Sequence, residues 1–148
     1  MFIGQSTAHV DLQGYLSLPR QHTPAAGGKA YVTFGFDSNL LYFSEGAFQH
    51  ILERVGLLSI TDPLARAFVR LLLGNAAEVT PGAEQRICLP EALRRFAGIE
   101  QELVIVGQGE YCEFWSPSLW EQQGQLLLDN PANAGRFSGL QITLLPES

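Results

Sequence analysis

Side chains able to do chemistry are present in this chain but hardly grouped. His9, His22 and His50 are scattered, no histidine pair has metal-ligand spacing, and neither Cys88 nor Cys112 belongs to a C-x-x-C pair. Both cysteines read as buried free thiols in a reducing cytosol. Gly107-Gln108-Gly109 lies between two apolar stretches and lacks the further glycine and lysine of a phosphate loop, so a hairpin turn explains it better. Acids are plentiful, yet no pair is recommended by spacing, which leaves an enzyme, a cofactor or a small-molecule substrate without support. The residues that remain are arginines. Arg66 and Arg70, four apart, share one helical face, which suits ion pairs with a neighbour's glutamates, a phosphate or an adjacent subunit. Arg86, Arg94 and Arg95 bracket Pro90 and have Glu78, Glu84 and Glu91 nearby as ordinary ion-pair partners, while Arg20 follows Pro19.

The elements that must position these arginines are written twice. Gln13-Gly14-Tyr15-Leu16-Ser17-Leu18-Pro19 returns 71 residues later as Glu84-Gln85-Arg86-Ile87-Cys88-Leu89-Pro90. Each copy gives a turn, a short strand with apolar residues two apart, and a proline. Period two puts Leu16 with Leu18, and Ile87 with Leu89, on one face. Downstream the offset becomes 72: Tyr31–Gly35 aligns with Leu103–Gly107, Tyr42-Phe43-Ser44 with Phe114-Trp115-Ser116, and Phe48 with Trp120. Such self-similarity decides the fold class before any local reading does.

Taken in order, Thr7–Leu12 alternates with Ala8, Val10 and Leu12 on one side, and Gln13-Gly14 permits a tight reversal into Tyr15–Leu18. After Pro19, Pro24 and Gly27-Gly28 leave a first-copy helix truncated or absent. Ala30–Phe36 and Leu40–Phe43 read as an antiparallel pair. Ser44 caps a helix to about Val55, and Asp62-Pro63 starts another that carries Leu64, Phe68, Leu71 and Leu72 on one face and stops at Gly74. The second unit runs from Ala76–Thr80 through a turn at Pro81-Gly82 to the strand Arg86–Leu89. The helix Glu91–Phe96 follows Pro90 and is capped by Gly98. Leu103–Val106 pairs with Tyr111–Trp115, and Ser116-Pro117 opens a last helix, with Leu119 and Trp120 packing inward. Beyond Gln123, Asp129-Asn130-Pro131 and Gly135 read as loop, and Leu140, Ile142 and Leu144 alternate as an added strand would.

This order, given twice, resembles the MraZ family, bacterial transcriptional regulators related to the AbrB-type swapped-hairpin DNA-binding proteins. It runs strand, D-x-x-G-R turn, strand, proline, helix, apolar strand, F-x-aromatic-Ser, Trp-helix. The resemblance extends from Met1-Phe2-Ile3-Gly4 to about Gln123 and includes Asp62–Phe68 between the copies. It implies an α+β fold: two β-hairpin-plus-helix units, 1–74 and 75–123, forming a pseudo-twofold β-barrel with flanking helices, followed by a tail at 124–148. It also implies a homo-oligomeric ring, in the cytoplasm and on the nucleoid, binding double-stranded DNA at promoter repeats of a division and cell-wall gene cluster.

In the family the arginine of the turn is presented to DNA. Here the first copy keeps Asp11 and Gly14 but has Tyr15 at the arginine position. The second copy keeps Arg86 but has Gly82 for the aspartate and Gln85 for the glycine. An arginine fork holds guanine O6 and N7 together, about 1–3 kcal/mol of discrimination, whereas tyrosine stacks or donates one hydrogen bond without charge. Arg94 also matches a family arginine four residues after the proline, and Thr23 stands at that place in the first copy. The resemblance therefore assigns DNA contact to Arg86 and Arg94, with Arg20 and Arg95 as phosphate contacts and Tyr15 beside them.

Composition pulls the other way. The 46% hydrophobic and 16% charged content belongs to a folded protein, and no apolar run is long enough for a membrane span. The N-terminus lacks the basic region of a secretory signal. The net charge is −6, all of it from residues 73–148, since acids and bases balance over 1–72. DNA-binding proteins ordinarily carry a basic footprint, because phosphate contacts supply most non-specific affinity. The competing expectation is therefore an assembly module that keeps the fold and the ring but not specific DNA binding.

Overall fold

In the computed structural model, residues 1–23 and 28–129 are described. Residues 1–116 form one unit, and a second begins at Pro117. In the first unit the strands are β1 (Gln5–His9), β2 (Tyr15–Ser17), β3 (Ala30–Phe34), β4 (Leu40–Ser44), β5 (Ala77–Glu78), β6 (Arg86–Cys88), β7 (Glu102–Gly107) and β8 (Cys112–Trp115). The helices are α1 (Glu45–Val55), α2 (Pro63–Gly74) and α3 (Glu91–Ala97), with single 3-10 turns at Arg20–His22 and Ala83–Gln85. The described part of the second unit is mainly the helix α4 (Pro117–Leu128), which runs on past Gln123.

The copies are interleaved rather than set side by side. One antiparallel sheet has the order β1-β7-β8-β4-β3-β5, and β2 pairs with β6 in a separate ribbon. Exchanging each strand for its repeat equivalent reads the sheet order backwards and leaves the ribbon unchanged. The sheet therefore has a pseudo-twofold between β4 and β8, where Leu40 faces Phe114 and Tyr42 faces Cys112. The first strand of each copy pairs with the other copy, β1 with β7 and β5 with β3.

Four expectations need correction. The sheet is not closed into a barrel. Its edge strand β5 has two residues, the ribbon strands have three each, and prolines at 19, 81 and 90 withhold the N–H that longer ladders would need. The reversal at Gln13-Gly14 is real, with the Asp11 N–H bonded to the Tyr15 carbonyl at 3.0 Å, yet β1 and β2 then splay to different partners. β1 ends before Asp11, because that side chain caps a turn, so Leu12 projects into solvent at 91% exposure instead of extending the buried face. Leu64 is likewise exposed on the first turn of α2, whose packing residues are Phe68, Leu72 and Leu73.

The alternation read from the sequence is what builds the core. Leu16, Leu18, Ile87 and Leu89 point inward from the ribbon onto Val32, Leu40, Leu103, Ile105 and Phe114 of the sheet, and Leu93 and Ala97 of α3 join them. Each such aliphatic side chain gains about 1.5–3 kcal/mol on burial. Leu41 and Phe43 face the other side of β4 and pack with Phe48 of α1 and Leu72 of α2. The Thr33 hydroxyl ties β3 to the Leu72 carbonyl. Ser44 Oγ caps α1 through the Ala47 N–H at 3.3 Å, and Asp62 caps α2 through the Leu64 N–H at 2.9 Å.

Where the second copy has α3, the described residues of the first hold the turn Arg20–His22. The His22 ring is fully buried there, bonded to Ser6 Oγ at 3.0 Å and the Gly4 carbonyl at 3.3 Å.

Candidate functional site

The ribbon β2/β6 and its two turns gather most of the residues singled out from sequence. Its register sets Tyr15 opposite Cys88, Leu16 opposite Ile87, and Ser17 opposite Arg86. With Leu16 and Ile87 committed to the core, Tyr15, Ser17 and Arg86 form the exposed outer face.

The first turn is built from Asp11 and Gly14. Asp11 Oδ1 accepts from the N–H groups of Gln13 at 3.0 Å and Tyr15 at 2.9 Å. Gly14 has φ +97°, and a Cβ there would stand 2.5 Å from the Leu89 carbonyl oxygen and 2.8 Å from Arg94 Nε. Glycine is required on both counts. The second turn has neither device. The Gly82 N–H bonds the Arg86 carbonyl at 2.9 Å, and Glu84 and Gln85 both sit at positive φ, 59° and 58°. Two side chains in the left-handed region cost roughly 1–2 kcal/mol apiece.

Arg86 crosses between the copies. Its Nη2 lies 3.3 Å from Asp11 Oδ2, and its Cζ stands 4.3 Å from the centroid of the Tyr15 ring. The Arg86 side chain remains 53% exposed. The Asp11 carboxyl is held below the usual carboxylate range, first by the Tyr15 N–H, with the Gln13 N–H and Arg86 acting the same way.

Arg94 braces this arrangement, its Nε donating to the Leu89 carbonyl at 3.0 Å, while the Leu89 N–H bonds the Gly14 carbonyl at 2.9 Å. Arg95 pairs with Glu91 at 2.6 Å on the surface of α3. Arg20 is exposed on the 3-10 turn beyond β2. Asp11, Gly14, Tyr15, Arg86 and Arg94 are thus brought together, whereas Arg95 and Arg20 stand outside that contact set.

Of the three glutamates that sequence offered as partners, Glu91 is taken, by Arg95. Arg86 reaches instead to Asp11, 75 residues away. Sequence did carry a signal for it: the aspartate missing from the second turn survives in the first, and the arginine missing from the first survives in the second. Ser17, which the register sets opposite Arg86, carried no such signal. The cysteines are both free. Cys112 is buried in the core, its thiol pushed up to about 12 by desolvation. Cys88, on the outer face of the ribbon opposite Tyr15, is only half-buried, and its Sγ lies 3.5 Å from the Gln13 carbonyl. Among the described residues no helix is long and apolar enough to cross a membrane.

The family model described as "MraZ protein, putative antitoxin-like" matches residues 1–71 and again 72–136. The chain belongs to the MraZ family. Among its relatives, the transcriptional regulator MraZ of Thermomicrobium roseum is 38% identical over 141 residues, covering 95% of this chain and 99% of the relative. That of Carboxydothermus hydrogenoformans is 38% identical over 120 residues, 81% of this chain and 84% of the relative. That of Mycobacterium sp. strain KMS is 33% identical over 130 residues, 88% and 91%. The second MraZ match runs beyond Gln123, where the resemblance read from motifs alone stops.

Proposed function

We propose that this chain is a DNA-binding transcriptional regulator that docks the outer face of the ribbon β2/β6 on duplex DNA. The major groove, about 12 Å wide, admits a two-stranded ribbon. The observation that carries the reading is the exposed guanidinium of Arg86, standing over Tyr15 and opposite Ser17 on the face turned away from the core. Arg86 is the base-reading residue, Arg94 supports the loop and offers its remaining donors, Arg95 and Arg20 meet phosphates, and Tyr15 adds a ring for stacking. The MraZ relatives' names as transcriptional regulators support the same reading.

A net charge of −6 gives no general pull toward DNA, so single contacts must be multiplied. A homo-oligomeric ring, set against several short repeats in a promoter, does this. Linked sites gain about 10²–10⁴ over one alone. On this reading that promoter stands before a division and cell-wall gene cluster, and the protein acts in the cytoplasm, on the nucleoid. In domain terms, 1–74 and 75–123 are proposed as the two repeats and 124–148 as a tail.

A second reading, an assembly module of the same fold, is favoured by the acidity and by tyrosine in place of the first-copy arginine. Salt-titrated retention of the DNA directly upstream of the protein's own coding sequence, against a shuffled duplex, separates the two. A regulator retains the upstream duplex selectively, with log K falling by about 0.9 per phosphate neutralised for each decade of salt. Equal retention, or none, sinks the regulator and leaves the module. Mass in solution tests the ring independently.

A further inference from the structure

We infer, on the footing of the DNA-binding reading, that Asp11 and Tyr15 of the first copy are positioning residues that make Arg86 of the second copy a reader of bases instead of a holder of phosphates. The Asp11 carboxylate is fixed before Arg86 arrives, because Oδ1 is occupied by the N–H groups of Gln13 and Tyr15 at 3.0 and 2.9 Å. That leaves Oδ2 facing Arg86 Nη2 at 3.3 Å. The Tyr15 ring lies against one face of the guanidinium, 4.3 Å from Cζ to centroid, which orients its plane. With one face covered and one nitrogen engaged by Asp11, the fork keeps donors on its exposed edge that bond nothing among the described residues.

The electrostatic consequence sets this arginine apart from an ordinary surface cation. Phosphates are attracted by net charge from any direction, whereas base edges are read by oriented donors. A guanidinium with a carboxylate at its side presents a dipole over distances of a Debye length, so its pull on phosphate is largely cancelled. Its donors keep their direction. A surface ion pair of this kind contributes little to folding, so stability gives no reason to keep it. The losses in the two copies fit the same picture. Gly82 and Gln85 leave Arg86 with no capped turn of its own, and Asp11 and Gly14 supply one from the other copy. Each subunit then offers one oriented contact and little general charge, the right balance for an acidic protein that selects its sites through many copies.

The full-length chain and its Asp11→Asn, Asp11→Ala, Tyr15→Phe and Tyr15→Ala variants would be measured by fluorescence anisotropy on the upstream duplex and on the shuffled one, across a salt series. Asparagine keeps the acceptor for both turn amides and removes the charge together with the Oδ2 acceptor that faces Arg86. Asp11→Asn should bind the shuffled duplex more tightly, with a salt slope steeper by about one ion, while its preference for the upstream duplex falls about tenfold. Tyr15→Phe should keep the wild-type preference and Tyr15→Ala should lose it. If Asp11→Asn weakens both duplexes alike and melts early, as Asp11→Ala would through its lost turn bonds, the role is structural and the inference is overturned. Unchanged preference in Asp11→Asn overturns it too. If the wild type itself shows no preference between the duplexes, the DNA-binding reading fails first and takes the inference with it.

Discussion

The two turns of the ribbon meet one backbone requirement with different parts, and the difference separates building a loop from using it. In the first, Asp11 bonds two amides and Gly14 avoids a Cβ that would stand 2.5 Å from the Leu89 carbonyl oxygen, but the residue presented is Tyr15. In the second, Glu84 and Gln85 hold left-handed conformations with no aspartate to cap them, and the residue presented is Arg86. Arg86 then leans on the well-made turn by pairing with Asp11. A duplicated element can lose half its parts in each copy and still yield one complete station, provided the copies are interleaved closely enough to share.

Breaking that comparison begins with the ribbon itself. Ile87→Ala, on the inner face beside Arg86, should cost about 2–5 kcal/mol in chemical unfolding, since Ile87 is 1% exposed in the shared core. Gly14→Ala should cost about 2 kcal/mol or more, from left-handed strain plus the clash with Leu89, and lower the melting temperature accordingly. The reverse experiment sharpens the contrast: Gln85→Gly should stabilise by about 1 kcal/mol, because it relieves in the second turn what Gly14 already avoids in the first. Smallest of all, Arg95→Ala should move stability by less than about 0.5 kcal/mol, its pair with Glu91 being solvent-exposed on both sides.

Acid adds an independent check on Asp11. Its carboxyl is depressed in the folded state, so the turn bonds and the Arg86 pair contribute fully above the ordinary aspartate range and are lost as pH falls through the lower folded value. Carbon-detected NMR titration should place Asp11 below the ordinary aspartate range. Replacing Arg86 with glutamine should bring it part of the way back, since the Tyr15 and Gln13 amides remain. A full return would mean that the turn bonds are not the main cause.

Much of this was legible in the sequence because it is local. Leu16, Leu18, Ile87 and Leu89 announced a buried face by alternation, and Ser44, Asp62-Pro63 and Gly98 marked helix ends with their own chemistry. Among the described residues, the stretch after Pro19 holds the 3-10 turn Arg20–His22, while Pro24, the sequence signal for a truncated helix, lies outside them. What sequence could not supply was which strand meets which. β1 with β7 and β2 with β6 are pairings between copies, fixed by shared burial rather than by any residue near either strand. The same non-locality hid the Asp11–Arg86 pair, and the barrel expected from family resemblance failed because proline-bounded strands of two and three residues cannot close one. Leu12 and Leu64 misled because apolar periodicity was carried one position past a capping aspartate in one case and one position too close to it in the other. The expected strand at Leu140–Leu144 lies outside the described residues.

The most direct test of the account is the retention of the upstream duplex by Arg86→Ala, with Arg95→Ala as the charge-matched control and the mass of both variants checked in solution. The account predicts that Arg86→Ala forms the same oligomer as wild type and loses selective retention, while Arg95→Ala weakens upstream and shuffled duplexes alike and only slightly. Selective binding that survives in Arg86→Ala would contradict it, and would move the DNA contact off the outer face of the ribbon.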